Sequence, residues 1–314
     1  MTRLSPRFPA LLLAAFAVGL TVIGAPSHAR VQAGSASCQT ACVETRFIEA
    51  DGVRYAYRII GDADGPPLVM MNRFRGTMDE WDPALVDRLA ESRTVILFDN
   101  AGVARSSGAP SPRLAGWADN TAAFVGALGY EQVDVLGFSL GGLMAQELAY
   151  RHPGLVRRLI IAGSGAGYVD GHNVRPEAIA IATKPVNVDE DFLALFFRDT
   201  PTSQAAGRAH LARLRQRADA YSVLVSETAW KAMLSAASDV GTPETSLLKR
   251  ASDLKIPVLV ANGVEDVMIP TYQSFALAQA LPNATLIVYP DSGHAFMFQY
   301  PDAFAREVEQ FLAR

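Results

Sequence analysis

The stretch Val135-Leu-Gly-Phe-Ser-Leu-Gly-Gly-Leu143 constrains this chain more than any other. An apolar run, Val133 to Leu136, ends at Gly137. Ser139 follows, and after Gly141 and Gly142 the pattern turns helical, with Leu143, Met144, Glu147 and Leu148 in register. This is G-x-S-x-G between a strand and a helix. A serine at the tip of so sharp a turn sits in a strained backbone conformation. Its neighbours two residues away must lack bulk for the chain to fold past itself. The helix that begins after Ser139 points free N–H groups at any anion forming beside the hydroxyl. The pattern alone also fits a glycine-rich turn with an ordinary serine, so the remaining chain has to decide.

Around this turn, strands and helices alternate. Arg46 to Glu49 and Val53 to Ile60 flank Asp51-Gly52 and predict an antiparallel hairpin. Leu68 to Met71 and Thr94 to Phe98 are short apolar runs, as strands buried on both faces of a parallel sheet require. Helical spacing covers Trp81 to Ala90 and Trp117 to Leu128, and Leu159 to Ala162 is the next strand. Between 163 and 252 the strand signal vanishes. Helical stretches replace it at Asp189 to Phe197, Ser203 to Leu224 and Glu227 to Ser238. Alternation resumes with the strands Pro257 to Ala261 and Thr285 to Tyr289. A helix from Tyr272 to Leu281 lies between them, and one from Asp302 to Arg314 closes the chain. The expectation is an α/β fold: a mostly parallel sheet covered by helices on both faces, its core formed by 46–162 and 253–314. Residues 163–252 form a helical insertion over the sheet edge where ligands bind, placed to act as a lid.

The N-terminus differs. Arg3 and Arg7 precede an apolar run from Ala10 to Ala25, broken by Pro26 and followed by Ser27-His28-Ala29. Residues 1–29 are expected to be a signal peptide cleaved after Ala29, giving a secreted or periplasmic protein. The run is short for a bilayer span of roughly 20 residues, so no stable membrane insertion of the mature chain is expected. Residues 30–45 form a leader carrying Cys38 and Cys42, which an oxidising compartment would allow to pair. With 50% hydrophobic and 19% charged residues the chain can bury a large core. A net charge of −4 without a basic cluster argues against nucleic acid. No clustered His/Cys ligand set and no phosphate-binding glycine loop is present, so no metal or cofactor is expected.

A serine hydroxyl needs a base, usually a histidine oriented by a carboxylate. His294, in Asp291-Ser-Gly-His-Ala295, follows the last strand at the same sheet edge as Ser139. His152 ends the helix after Ser139, and His172 and His210 fall in the insertion. Ala261-Asn-Gly-Val-Glu-Asp-Val-Met-Ile-Pro270 offers Glu265 and Asp266 at the end of another strand. With these residues the chain resembles the α/β-hydrolase family from about Arg46 to Arg314. The order serine, acid, histidine is that family's, and Asp99 to Ser107 looks like the loop after its fourth strand. The family pattern of strand, Gly, two residues, Asp matches Asp266 rather than Glu265.

The resemblance also implies two oxyanion donors, the backbone N–H groups of Leu140 and Phe74. Phe74 lies in Asn72-Arg73-Phe74-Arg75-Gly76, where most relatives begin His-Gly. Arg73 therefore either turns into solvent or brings a positive charge to the pocket mouth for an acidic substrate. Serine at the turn argues against haloalkane dehalogenases and epoxide hydrolases, which carry aspartate there. Leu140 argues against prolyl aminopeptidases, which usually carry tryptophan. The turn looks most like esterases of small molecules, with C–C bond hydrolases and cofactor-free haloperoxidases or perhydrolases as alternatives. A non-catalytic ligand-binding protein on the same fold is the rival from another class. Phe192, Leu195, Phe196, Phe197, Trp230 and Met233 of the insertion either line an apolar pocket or form its own core.

Overall fold

The computed structural model describes Thr2 and residues 39–314. The expected signal peptide, Thr2 apart, and Cys38 lie outside the described residues. The strands are β1 (Arg46–Ala50), β2 (Val53–Ile60), β3 (Leu68–Met71), β4 (Val95–Phe98), β5 (Val133–Phe138), β6 (Val156–Ala162), β7 (Val258–Gly263) and β8 (Ala284–Tyr289). The helices of the first half are α1 (Pro83–Ala90), α2 (Leu114–Ala127) and α3 (Leu140–Arg151). Between β6 and β7 come α4 (Pro176–Ala182), α5 (Asp189–Phe196), α6 (Pro201–Leu214) and α7 (Glu227–Ser238). The chain ends with α8 (Thr271–Ala280), α9 (Phe296–Gln299) and α10 (Pro301–Leu312).

One sheet takes the order β1-β2-β4-β3-β5-β6-β7-β8 among the described residues. β2 runs antiparallel to both neighbours, and β3 to β8 pair in parallel. Side chains alternate across this sheet with the strand period of two. Val69 and Met71, with Ile96 and Phe98, pack toward α2 and α3. Leu68 and Met70, with Val95 and Leu97, pack toward α1 and α10. Burial on both faces explains why these strands read as unbroken apolar runs.

The strand order reverses around β3, because β4 lies on one side of it and β5 on the other. A crevice opens at the carboxyl ends of such a pair. Register sets Met71 opposite Gly137, so the loop after β3 and the turn after β5 leave the sheet side by side. Two glycines make the approach feasible. A Cβ on Gly137 would lie 2.3 Å from the Gly141 carbonyl oxygen, and one on Gly141 would lie 2.2 Å from that of Met71. Both obstacles are backbone, which cannot rotate away. Gly141→Ala should therefore push α3 off β3 and cost about 3 kcal/mol, the upper end for overpacking. Chemical denaturation of the variant measures it, and a loss below about 1 kcal/mol would mean the turn has slack.

Helix boundaries depart from sequence expectation in the insertion. The helix expected over 203–224 ends at Leu214, although Arg215 to Ala218 are good helix formers. Tertiary contacts override propensity there. Arg215 pairs with Asp189 at 2.7 Å, and Arg217 donates to the carbonyl of Val43 at 2.9 Å. Tyr221 then turns the chain in a left-handed conformation, φ 60°. α4, begun by Pro176 at its first position, and the single turn α9 were not expected from periodicity. Cys42 is disulfide-bonded.

Candidate active site

Ser139 stands between β5 and α3 with φ 56° and ψ −121°, a conformation that non-glycine residues adopt only under constraint. The constraint is visible: its N–H donates to the Ala162 carbonyl at 2.9 Å, and its carbonyl accepts from Gly142 N–H at 2.8 Å. The hydroxyl makes no hydrogen bond to a described residue, and neither the Leu140 nor the Phe74 backbone N–H donates one.

His294 is fully buried. Its Nδ1 lies 2.7 Å from Oδ2 of Asp266. The other carboxylate oxygen accepts the backbone N–H groups of Met268 and Ile269, each at 2.8 Å. A carboxylate only accepts, so Nδ1 carries the proton and Nε2 is left as the basic nitrogen. That Nε2 is buried with no partner among the described residues. The imidazole packs 4.9 Å from the ring of Phe138, the residue before Ser139, and 5.1 Å from that of Phe196 in α5. Glu265 points the other way and pairs with Arg198 at 2.7 Å.

The other histidines have their own partners. His152 Nε2 lies 2.8 Å from Asp119, and His172 stacks on Tyr272 at 4.0 Å. His210 of α6 is buried, with Nδ1 2.7 Å from Asp82. Asp82 also caps α1 through Ala84 N–H and takes two bonds from Arg213. Burial holds the His210 imidazole below its ordinary pKa, although Asp82 pulls the other way. A depressed folded pKa means the unfolded chain binds the proton first as pH falls. Stability should then drop below about pH 6.5, with a limiting slope of about 1.4 kcal/mol per pH unit for this one proton. Melting temperatures from pH 8 to 5 for wild type and His210→Phe test this. The variant should show the shallower decline, and parallel curves would refute it.

Among the described residues no cluster of three or more His, Cys, Asp or Glu side chains is placed to hold a metal ion. No described helix is long and apolar enough to cross a membrane.

Comparison with known proteins places the fold. The family model for the alpha/beta hydrolase fold matches residues 66–301. The chain belongs to the α/β-hydrolase family. It is 31% identical over 233 residues to a 2-hydroxymuconate semialdehyde hydrolase of Pseudomonas putida, covering 72% of this chain and 79% of that one. It is 27% identical over 280 residues to a poly(3-hydroxyalkanoate) depolymerase of Ectopseudomonas oleovorans, covering 85% and 92%. A solved alpha/beta hydrolase fold protein from Chitinophaga pinensis superposes with a TM-score of 0.79 at 36% identity, over 87% of this chain and 98% of that one. The family and these relatives support hydrolase activity, and the family suggests a small-molecule substrate.

In this α/β hydrolase Arg73 does not turn into solvent. Its guanidinium is mostly buried, paired with Glu80 at 2.9 Å. It also donates to the Phe74 carbonyl at 2.7 Å and lies 5.0 Å over the ring of Phe196. The reason is the 3-10 turn Met78–Glu80, which brings Glu80 back under the loop, where its other oxygen accepts Thr77 N–H. Burial holds the Glu80 carboxyl above its ordinary range, although Arg73 pulls the other way. The guanidinium is thus already paired. Several insertion side chains reach this neighbourhood. Phe196 lies against Phe138 at 6.1 Å, Trp230 against Phe74 at 6.4 Å, and Met233 Sδ accepts Arg75 N–H at 3.3 Å. A groove of ≈ 790 Å³ is lined by residues that include Glu265, Arg198 and Gly293, and Ser139 is not among them.

Proposed function

We propose that this chain is a serine hydrolase that cleaves an ester-like bond in a small molecule through an acyl-enzyme on Ser139. The observation that carries the reading is a strained serine at the switch point of the sheet, whose chain neighbour Phe138 packs on a buried histidine with its Nδ1 held by Asp266. Ser139 Oγ attacks the carbonyl carbon while His294 Nε2 takes its proton. Asp266 holds the ring in the Nδ1–H form and stabilises the imidazolium. The oxyanion is met by the N–H groups of Leu140 and Phe74, both without partners among the described residues. His294 returns the proton to the leaving alcohol, then takes one from water, which releases the acid. Helices α4 to α7 serve as the lid. The sequence before Arg30 and the disulfide at Cys42 support export.

A fluorophosphonate probe tests the nucleophile. Stoichiometric labelling of wild type and none of Ser139→Ala is expected, and a folded, unlabelled wild type would overturn the proposal. A C–C hydrolase reading has one specific support, the similarity to the Pseudomonas enzyme. The substrate in that enzyme's name is an acid, and Arg73, which precedes Phe74 in the expected oxyanion loop, is already paired to Glu80. That favours neutral esters. Comparing 2-hydroxymuconate semialdehyde with neutral short-chain esters on the same preparation decides between them.

A further inference from the structure

Asn72 to Gly76 is held from two sides, and the two anchors belong to different parts of the chain. On the core side, Asn72 Nδ2 donates to the Phe98 carbonyl at 2.9 Å and its Oδ1 accepts Trp81 Nε1–H at 2.6 Å. On the insertion side, the guanidinium of Arg75 gathers the carbonyls at the end of α4. Nη1 donates to Lys184 at 2.7 Å and to Ala182 at 3.3 Å, and Nη2 to Pro185 at 3.3 Å. The same guanidinium lies 5.3 Å over the ring of Trp230 in α7, and the Arg75 backbone N–H is spent on Met233 in that helix. Arg75 itself is left-handed, φ 54°, a conformation that persists only where surroundings enforce it. Phe74, the expected oxyanion donor, sits between the two anchors.

We infer that Arg75 is a positioning residue. It locks the Phe74 N–H in its oxyanion orientation only while the end of α4 and helix α7 are seated, so the insertion's position and the completeness of the oxyanion hole are one event. This rests on the proposed Ser139 mechanism and adds to it a residue that never touches substrate. Planarity makes the guanidinium suited to the role, because its donors fork toward several carbonyls at once, which an ammonium cannot imitate with the same geometry. Losing the lock leaves Ser139, His294 and Asp266 in place but releases the backbone that carries the donor. Loss of one oxyanion donor costs about 100- to 1,000-fold in kcat, and a donor that is mobile rather than absent should cost less.

The test is steady-state kinetics on Arg75→Ala and Arg75→Lys with a neutral ester. Arg75→Ala should lower kcat by about 10- to 100-fold with KM within about threefold of wild type, and Arg75→Lys should fall between the two. Affinity for a boronic acid, which forms a tetrahedral adduct on Ser139, should fall in proportion to kcat/KM. A merely structural arginine would lower the melting temperature without that proportionality. Wild-type kcat in Arg75→Ala overturns the inference, as does a lowered kcat with unchanged boronate affinity. Should Arg75→Ala not fold, Arg75→Lys at the wild-type melting temperature decides alone, and undiminished kcat there overturns it. If Ser139 labels in wild type while the Arg75 variants behave as wild type, only the coupling falls. If Ser139 does not label, the mechanism beneath it falls instead.

Discussion

Replacing Ser139 with alanine should lower kcat by about 10⁵-fold or more, with a melting temperature close to that of wild type. The two halves of this expectation have separate causes. Activity collapses because the hydroxyl is the only group of the turn able to form the acyl-enzyme. Stability survives because that hydroxyl has no hydrogen-bond partner among the described residues, so its removal strands no buried group and should cost under about 1 kcal/mol. His294→Ala should lose a similar factor in rate but more in stability. It empties a site lined by Phe138 and Phe196 and leaves the Asp266 carboxylate with backbone donors only. The double variant should be no slower than either single one, because a nucleophile without its base and a base without its nucleophile fail at the same step. Rates and melting curves on the three proteins check this. A Ser139→Ala enzyme within tenfold of wild type would end the serine mechanism, and multiplicative losses in the double variant would show the two residues act independently.

Much of the fold is legible in the sequence because buried parallel strands leave a plain mark. Leu68 to Met71 and Val95 to Phe98 are short apolar runs between polar turns, and the structure buries every side chain in both. Less is legible where long-range contacts decide. Nothing in Arg215 to Ala220 forbids a helix; the chain leaves helical geometry there because Arg217 reaches a carbonyl at Val43 far back in the sequence. The reversal of strand order at β3 sets the crevice, and periodicity carries no information about order. Within the site, Ser139 and His294 could be nominated because each follows an apolar run, and Asp266 over Glu265 because of the resemblance to the family pattern. The fate of Arg73 could not. Its partner Glu80 is near in sequence, but only the 3-10 turn Met78–Glu80 aims that carboxylate back at the loop. Likewise Asp82 and His210 meet across 128 positions, as one buried pair between α1 and the insertion, and no local pattern announces it. Of these, Arg217 and the Asp82–His210 pair join the insertion to the rest of the chain.

Asp266→Asn should cost about 10³- to 10⁴-fold in kcat with KM little changed. In wild type the carboxylate serves on two sides, Oδ1 taking two backbone N–H groups and Oδ2 taking His294 Nδ1–H. An asparagine has a single carbonyl oxygen, and the two backbone donors claim it, since an amide NH₂ turned toward them would set donors against donors. The NH₂ then faces His294 and must donate to Nδ1. That drives the imidazole proton to Nε2, and the nitrogen that should accept from Ser139 is already protonated. The side chain's volume hardly changes, so the geometry of the turn survives and the defect is one of tautomer. Glu265→Gln is the matched control. Glu265 is exposed and pairs with Arg198, a contact worth at most about 1 kcal/mol, and its loss should change kcat by less than about threefold. Equal losses in the two variants, or an Asp266→Asn enzyme within tenfold of wild type, would show that the carboxylate at 266 does not set the state of His294.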